Sequence, residues 1–338
     1  MSGSTSKTPG WLVWAAFALP VALLILSLNL GSYHIPLKDV WTTLTHPSSA
    51  ATGTAAAPYA DILFRIRLPR LLLALFAGAA LAVSGASLQA LFKNPLVFEF
   101  SLGLSYGAAF GAALSLVFLG KRFPPQVAAF AFAVLAVLLV IVVAGKSASQ
   151  VVPVLLSGVI VSALFQALLS LVEFFANPYA LQALIFWLMG SLSQAVWSDL
   201  PVTLPVIGVG VLVLILLRWR MNVLSLGDDE ARALGVNIKW EKALVIGVAT
   251  LTTAAATSVT GVINWIGLIV PHLTRMAVGA DNRKVIPLSA AFGASLLIVA
   301  DDIARSAASF EIPIGILTSV VGIPFFIVLL KKSGKIWQ

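Results

Sequence analysis

Residues 227–235 read Gly-Asp-Asp-Glu-Ala-Arg-Ala-Leu-Gly, a charged segment between two long apolar stretches, residues 196–217 and 243–263. Its acidic side chains come first, where a helix N-terminus favours them, and Gly235 is a residue type that commonly ends a helix. The segment therefore predicts a short helix at a wet surface between two membrane-crossing helices. Because the bilayer offers such charges no stabilisation, we expect the segment to contact a soluble partner.

The composition of the chain is that of a protein that crosses a membrane many times. Hydrophobic residues make up 60% of its 338 positions and charged residues only 10%, with a mean hydropathy of +1.03. Soluble domains are about 25% charged, and a spanning helix needs about 20 apolar residues. We therefore predict one all-α transmembrane domain, residues 1–338, with about ten crossings. The predicted spans are residues 11–30, 70–92, 96–118, 124–145, 151–174, 196–217, 243–263, 266–278, 285–304 and 312–330.

Catalysis by this chain is not expected. It contains no Gly-x-x-x-x-Gly-Lys-Ser/Thr motif, so ATP hydrolysis, if it drives the protein, takes place in another chain. The chain has no cysteine and its three histidines are dispersed, so no metal site is predicted. No acidic pair of a glycosidase and no catalytic triad is visible. The acidic residues near predicted span ends stand singly: Glu99, Glu173, Asp301, Asp302 and Glu311.

The basic residues predict the orientation of the chain in the membrane. With both termini in the cytoplasm, fourteen of the twenty-one Lys and Arg residues lie on the cytoplasmic side, as the positive-inside rule favours. The net charge of +8 is then a topology signal, and no contiguous basic face suggests nucleic-acid binding. Residues 31–66 form the longest external segment, with a short helix at 37–44. Residues 178–194, which include Trp187, lie at the interface, and residues 218–240 form a cytoplasmic coupling region.

Two parts of the sequence resemble each other. Val83-Ser84-Gly85 and Val259-Thr260-Gly261 both stand at the same distance before a proline, Pro95 and Pro271. Five predicted spans separate the copies, so they would cross the membrane in opposite senses, and inverted repeats place a substrate path at their interface. Chance matching in an Ala/Gly/Val-rich chain, or close helix packing alone, would give the same pattern. The candidate path or helix-packing residues are Ser84, Gly85, Asn94, Pro95, Gly103, Ser105, Gly107, Thr260, Gly261 and Pro271.

Several short motifs occur in the order and at the spacing of one known family. They are Arg67-Leu68-Pro69-Arg70, the Gly78–Gly85 run, Asn94-Pro95-Leu96, Phe186–Gly190, Leu226-Gly227 with Leu234-Gly235, Gly267–His272, Ala300-Asp301 with Arg305, Ile312–Gly315 and Gly322–Phe326. Each motif alone is weak, but the ordered set covers residues 60–330. The chain resembles the FecCD-type permeases of type II ABC importers, which take up iron–siderophore complexes, haem and cobalamin.

The resemblance implies a homodimer of ten-helix subunits in the cytoplasmic membrane of a bacterium or archaeon, with a path along the two-fold axis. Two ABC ATPase subunits, which hold ATP and Mg, would bind inside, and a periplasmic substrate-binding protein would bind outside. This chain would hold no cofactor of its own. Its charged segment would dock on the ATPase. We expect Leu226, Ala231 and Leu234 to form an apolar strip on this segment, while its charged side chains face water: Asp228, Asp229, Glu230 and Arg232. The coupling residues are Leu226, Gly227, Asp228, Glu230, Ala231, Arg232, Leu234 and Gly235.

Three arginines lie at the outer ends of predicted spans, where the positive-inside rule disfavours them: Arg67, Arg70 and Arg305. They could be lipid anchors whose long side chains reach the headgroups. They could also pair with carboxylates of a docking protein, for which the planar guanidinium is well suited. The resemblance favours docking of the substrate-binding protein, since the family uses arginines there.

The residue types along the predicted path indicate the kind of cargo. Its helices are rich in Gly, Ala, Ser and Thr, whereas a bare divalent metal ion would need His, Cys or carboxylate ligands. We therefore expect a bulky metal chelate, an iron–siderophore or haem first, with cobalamin or an oxyanion such as molybdate as alternatives. An ion-coupled secondary transporter would share the inverted repeat but would not need the charged segment. Two segments depart from the family pattern: Val97–Gly103 and Ser147–Pro153. These departures leave open the identity of the cargo and of the gate residues, but not the family.

Overall fold

The computed structural model of the chain describes residues 10–31, 33–45, 57–148, 150–308 and 310–333, and the regular structure within them is helical. The predicted all-α fold is confirmed. The remaining residues, including both predicted cytoplasmic termini and the middle of the predicted external segment, lie outside this description. The α-helices are α1 Gly10–Ser27, α2 Leu37–Thr45, α3 Ala57–Asp61, α4 Leu68–Phe92, α5 Leu104–Leu114, α6 Pro125–Ala144, α7 Val151–Phe175, α8 Pro178–Leu188, α9 Leu200–Leu216, α10 Arg218–Leu226, α11 Asp228–Ala233, α12 Ile238–Thr260, α13 Ile266–Val278, α14 Asn282–Ser306 and α15 Ile314–Ser333.

The helices make this a multi-pass membrane protein, but they do not confirm ten spans. In the described part of the chain, five helices are long and apolar enough to cross a bilayer, and α9 with α10 gives a sixth if their 52° bend is one broken span. Other predicted spans are shorter helices; α13, for example, has 13 residues. At 1.5 Å per residue that length covers about 20 Å of a hydrocarbon core of about 30 Å.

Turns shift the boundaries of two predicted spans. The span expected from residue 96 begins as an α-helix only at Leu104, because the chain turns after α4. Lys93 ends α4 in the left-handed region with a φ of 50°, and the Asn94 side chain accepts a hydrogen bond from the Leu96 N–H at 2.9 Å. The span expected to reach residue 263 ends at Thr260, and a non-helical stretch precedes α13.

The predicted surface helices are present. The helix expected at 37–44 is α2, and the Trp187-bearing segment contains α8. The chain is helical again from Ala57 and continues through a π-helical segment, Ile62–Arg67, directly into α4. The irregular part of the predicted external segment, residues 31–66, is therefore shorter than expected.

Helix α4 lies at the centre of the protein because glycines let its neighbours approach closely. A Cβ atom on Gly78 would lie 2.3 Å from the carbonyl oxygen of Gly293 in α14, and one on Gly85 would lie 2.0 Å from the carbonyl oxygen of Gly267 in α13. Both distances are far inside van der Waals contact, so only glycine fits. Small residues at helix interfaces are how membrane helices pack without a hydrophobic driving force between them.

Contacts between helix ends define two opposite ends of the molecule. Arg70 near the start of α4 donates to Asp301 near the end of α14 at 2.8 Å, so these helices are antiparallel. At the other end, the Asn222 side chain in α10 donates to Asp281, which precedes α14, at 2.7 Å. We call these the arginine end and the α10–α11 end.

The two sequence copies lie in helices of opposite direction, as predicted, but they are not equivalent residue by residue. α12 begins at the α10–α11 end, where Lys242 pairs with Asp228 of α11, whereas α4 finishes there. Gly85 lies inside the continuous helix α4, while Gly261 follows the last residue of α12 with a φ of 69°. The equal spacing to the two prolines therefore does not mean that Gly85 and Gly261 occupy equivalent positions in the two helices.

Candidate functional site

The charged segment forms a short helix held against the rest of the protein. α11 sits between α10 and α12, and Ala231 is fully buried in a small apolar cluster with Val223 and Ile238. Asp228, its first residue, accepts a hydrogen bond from the Lys242 ammonium at 3.0 Å. The predicted helix is thus present and attached at one end by an ion pair and in the middle by packing.

Glycines mark both ends of this helix. The Glu230 carboxylate folds back over Gly227, where a Cβ atom would lie 2.0 Å from Oε2. Gly235 has a φ of 79°, the left-handed conformation expected of the residue that stops the helix. Arg232 pairs with Asp229 at 3.2 Å on the solvent side.

The apolar strip differs from the sequence prediction. Leu226 and Leu234 are each 62% exposed, whereas Ala231 is buried inside the chain. The three residues therefore do not form one outward strip, because packing against Val223 and Ile238 turns the alanine inward. The two leucines flank α11 and leave large apolar side chains exposed, as a docking surface requires.

At the arginine end, Arg70 is buried and bridges two carboxylates. Its Nε donates to Asp301 at 2.8 Å, and its Nη1 donates to Glu311 at 2.7 Å. Asp301 has no exposed surface, and Arg305 lies 3.6 Å from its other oxygen. The carboxylates that looked single in the sequence therefore share one network with the arginines.

Arg67 and Arg305 tie the end of α1 to this network. Arg305 donates to the Ser27 carbonyl oxygen at 2.7 Å and pairs with Asp302. Arg67 donates to the carbonyl oxygens of Leu28 and Tyr33. The three guanidinium groups thus hold α1, α4 and α14 together at this end.

The burial of these arginines affects both hypotheses about them, that they anchor the protein to lipid headgroups and that they pair with carboxylates of a docking protein. Arg67, Arg70 and Arg305 are each at most 6% exposed, so they do not reach lipid headgroups as anchors would. Their hydrogen bonds to their own chain also mean that any part in docking would act through the segments they hold. Arg65, by contrast, is exposed and pairs with Asp61 on the surface. The docking role of the three arginines stays a prediction.

A cavity of about 280 Å³ opens between α8, the end of α12 and the segment before α15. Thr260 and Gly261, two of the predicted path residues, line it. Its other polar groups are Glu311, noted in the sequence only as a single acidic residue, and five that the sequence did not single out: Gln126, Ser191, Ser193, Gln194 and Asp199. Nothing in their spacing joins them, since they come from four separate parts of the chain.

A second cavity, of about 270 Å³, lies at the α10–α11 end and is lined by Asn94 and Pro95. The structure thus divides four of the predicted path residues between two cavities at opposite ends. The other six serve helix packing or turns. Gly107, for example, faces the Phe132 carbonyl oxygen, where a Cβ atom would lie 2.5 Å away. The six are Ser84, Gly85, Gly103, Ser105, Gly107 and Pro271.

Glu99 is a buried carboxylate in Val97–Gly103, one of the two segments that depart from the family pattern. Its side chain faces Gly267 at the start of α13, where a Cβ atom would lie 2.4 Å from Oε2. Neither of its oxygens has a hydrogen-bond partner among the described residues. Gly267 therefore serves two close approaches, to α4 and to Glu99.

Asp281 fixes the start of α14 at the α10–α11 end. Burial raises the pKa of its carboxyl, but hydrogen bonds from Asn222 and from the Arg283 N–H, together with the charges of Arg283 and Lys284, outweigh burial and hold the pKa below its usual value. The carboxylate is therefore charged at neutral pH, and its contribution to stability is lost only as the pH falls through that lowered pKa.

Comparison with known proteins identifies the family. Residues 19–332 match the FecCD transport family. The chain is 40% identical over 272 residues to the "Probable iron chelatin transport system permease protein" of Helicobacter pylori, covering 80% of this chain and 83% of that protein. It is 37% identical to the hemin transport system permease protein HmuU of Yersinia pestis, covering 94% of each. It is 36% identical to the molybdate import system permease protein MolB of Haemophilus influenzae, again covering 94% of each.

The fold agrees with this assignment. The structure superimposes with a TM-score of 0.85 and 34% identity on an inward-facing structure assigned to a metal-chelate type ABC transporter, covering 95% of this chain and 99% of that one. The expectation that the chain is a transport subunit and not an enzyme is consistent with these relatives. The chain belongs to the FecCD transport family, the permeases of metal-chelate ABC importers.

Proposed function

We propose that this chain is the permease through which a bulky metal chelate, an iron–siderophore or haem, passes from a periplasmic binding protein into the cytoplasm. Two copies form the path, and two ABC ATPase subunits with ATP and Mg supply the driving force. The membrane is the cytoplasmic membrane of a bacterium or archaeon, with both termini inside. The α10–α11 end then faces the cytoplasm and the arginine end faces the binding protein.

The lining of the 280 Å³ cavity supports this choice of cargo. Among the described residues that line it, the ionisable ones are Asp199 and Glu311, with no Lys or Arg. Gln126 donates to Asp199 at 3.3 Å, while Glu311 is engaged by Arg70. Hydroxyls, amides and the aromatic side chains of Phe186 and Trp187 complete the wall. Such a surface suits a large, already chelated ligand and repels a small oxyanion.

The alternatives within the family differ in charge. Cobalamin would meet the same lining without repulsion and remains the second candidate. Molybdate carries two negative charges and would face the Asp199 carboxylate with no basic side chain among the described lining residues, since Arg70 is already paired with Glu311. An oxyanion importer is expected to offer basic groups or helix N-termini along its path, so molybdate is the least favoured cargo.

The α10–α11 end would bind the ATPase, and the arginine end would bind the substrate-binding protein. Leu226 and Leu234 offer exposed apolar side chains beside the charged helix α11, which suits a cleft on an ATPase. At the other end, Arg67, Arg70 and Arg305 hold the surface on which the binding protein would dock, so they would act by shaping it.

The cargo is tested by uptake into proteoliposomes that contain this permease with a co-expressed ABC ATPase and binding protein. We expect ATP-dependent uptake of an iron–hydroxamate complex or of haem, and none of molybdate. The matched control is the same system with an ATPase that cannot hydrolyse ATP. Uptake of molybdate with no uptake of any chelate would contradict the proposed cargo while leaving the transport mechanism intact.

A further inference from the structure

The cavity at the α10–α11 end collects polar side chains from four parts of the chain. It has a volume of about 270 Å³. Gln89 and Lys93 come from the end of α4, Ser225 from α10, Arg275 from the end of α13 and Asn282 from the start of α14. Asn94 and Pro95 complete the wall beside Lys93. Neither the predicted coupling contact nor the 280 Å³ cavity uses these groups.

The ionisable side chains that line this cavity are both cationic. Lys93 and Arg275 face it, and none of the described residues that line it is a carboxylate. Neither forms an ion pair with a carboxylate of the described residues. The nearest acidic group in sequence, Asp281, is engaged by the Asn222 side chain at 2.7 Å and by the Arg283 N–H at 2.9 Å. The cavity therefore carries positive charge that the described part of the chain does not neutralise.

Arg275 is held in position by a neutral group. Its Nη1 donates to Oε1 of Gln89, which is itself 3% exposed, and Nε2 of Gln89 donates to the Gly267 carbonyl oxygen at 3.2 Å. A buried amide thus fixes the guanidinium in orientation without cancelling its charge. Half-buried guanidinium groups normally find an anion, because leaving such a charge unpaired away from water is costly.

We propose that this cavity binds a phosphate group, with Arg275 and Lys93 as its cationic contacts and the amides of Asn94 and Asn282 as further donors. Phosphate oxygens suit the fork of arginine and the point charge of lysine together. The phosphate can belong to an anionic lipid of the surrounding leaflet or to a soluble phosphate compound. Ser225 lies three residues before Asp228, the first residue of α11, so this site adjoins the proposed coupling segment.

The test uses the full-length permease purified in detergent and stripped of lipid. In one arm, inorganic phosphate is titrated against sodium chloride of equal ionic strength, and binding is followed by calorimetry and thermal unfolding. In the other arm, the protein enters nanodiscs of phosphatidylcholine with or without phosphatidylglycerol, and retained lipid is counted by native mass spectrometry. Binding in the first arm identifies a soluble phosphate as sufficient, and retention only in the second identifies the lipid headgroup.

Arg275→Gln should weaken whichever binding is found by about tenfold or more, since it removes charge-assisted hydrogen bonds. Lys93→Gln, at an exposed side chain, should weaken it in the same direction if Arg275→Gln does not fold. Arg283→Gln is the matched control, because Arg283 is an exposed arginine at the same end that does not line the cavity. Equal binding by wild type and both cavity variants would overturn the proposal. So would stabilisation by chloride equal to that by phosphate together with no preference for phosphatidylglycerol.

Discussion

Arg70 illustrates how much at the arginine end depends on single side chains. The sequence marks Arg67, Arg70 and Arg305 because they stand against the positive-inside rule, but it does not name their partners. Asp301 is 231 positions from Arg70 along the chain, and only the packing of α4 on α14 brings them together. The placement of charges in the sequence could therefore locate the three arginines, but it could not show that they are buried and bonded to groups of their own chain.

Replacing Arg70 with alanine should strongly destabilise the protein. Asp301 has no exposed surface and would keep only its longer contact with Arg305 at 3.6 Å, and removing one partner of a buried ion pair typically costs about 3–5 kcal/mol. The matched change Arg65→Ala removes an exposed pair with Asp61 and should cost no more than about 1 kcal/mol. Thermal unfolding of the two variants in detergent measures the difference. Equal stability would show that the buried network contributes little.

The contact between Gly85 and Gly267 should tolerate no side chain. A methyl group on Gly85 would lie 2.0 Å from a carbonyl oxygen of α13 that cannot move independently, so Gly85→Ala should cost at least about 1–3 kcal/mol. Gly247 in α12 has open space where a Cβ would lie, so Gly247→Ala should be neutral or stabilising by up to about 1 kcal/mol. The yield and unfolding temperature of the purified variants test this, and a Gly85→Ala protein as stable as wild type would contradict the close packing.

At the scale of elements, the apolar runs predict where helices lie but not how they break. Residues 96–118 look continuous by hydropathy, yet α5 starts at Leu104 because Lys93 and Gly103 adopt left-handed conformations. A glycine such as Gly103 signals that freedom, but a lysine does not. The charged helix α11 was predictable because its acidic start and glycine stop are local signals, whereas the inward turn of Ala231 depends on packing against α10 and α12.

Helix α11 should depend on its ion pair with α12. Asp228→Asn weakens the contact with Lys242 and should raise amide hydrogen exchange across residues 228–235. Asp229→Asn is the matched control, because Asp229 pairs only with Arg232 of the same short helix and is 93% exposed in its side chain. Hydrogen exchange measured by mass spectrometry compares the two. If both variants exchange alike, the Lys242 contact does not hold the helix.

At the scale of the whole molecule, composition and motif order predict the family, and the comparisons confirm it. Membership in an ABC importer family removes the ion-coupled secondary transporter from consideration. The number of spans is less accessible, because helices such as α13 are too short to be recognised as crossings by length. The proposed cargo is argued from the lining of a cavity that four distant segments form, and the sequence does not reveal that cavity.

The two ends should face opposite sides of the membrane. The chain has no cysteine, so single cysteines at Arg122 and at Asp229 can be labelled without background. Arg122 lies between α5 and α6, and both positions are exposed. A membrane-impermeant maleimide should label position 122 in intact spheroplasts and position 229 only after permeabilisation. Labelling of both from one side would contradict the proposed orientation.

The central claim, that this permease is driven by a separate ATPase through the segment around α11, is tested most directly by Leu226→Asp combined with Leu234→Asp. The purified variant should insert and fold normally but bind a co-expressed ABC ATPase at least about tenfold more weakly, as expected when exposed apolar contacts at an interface are lost. It should no longer stimulate ATP hydrolysis. Leu96→Asp, an exposed leucine at the same end but outside the segment, is the matched control and should behave like wild type. If the double variant binds and stimulates the ATPase as wild type does, residues 226–235 are not the coupling element and the account fails.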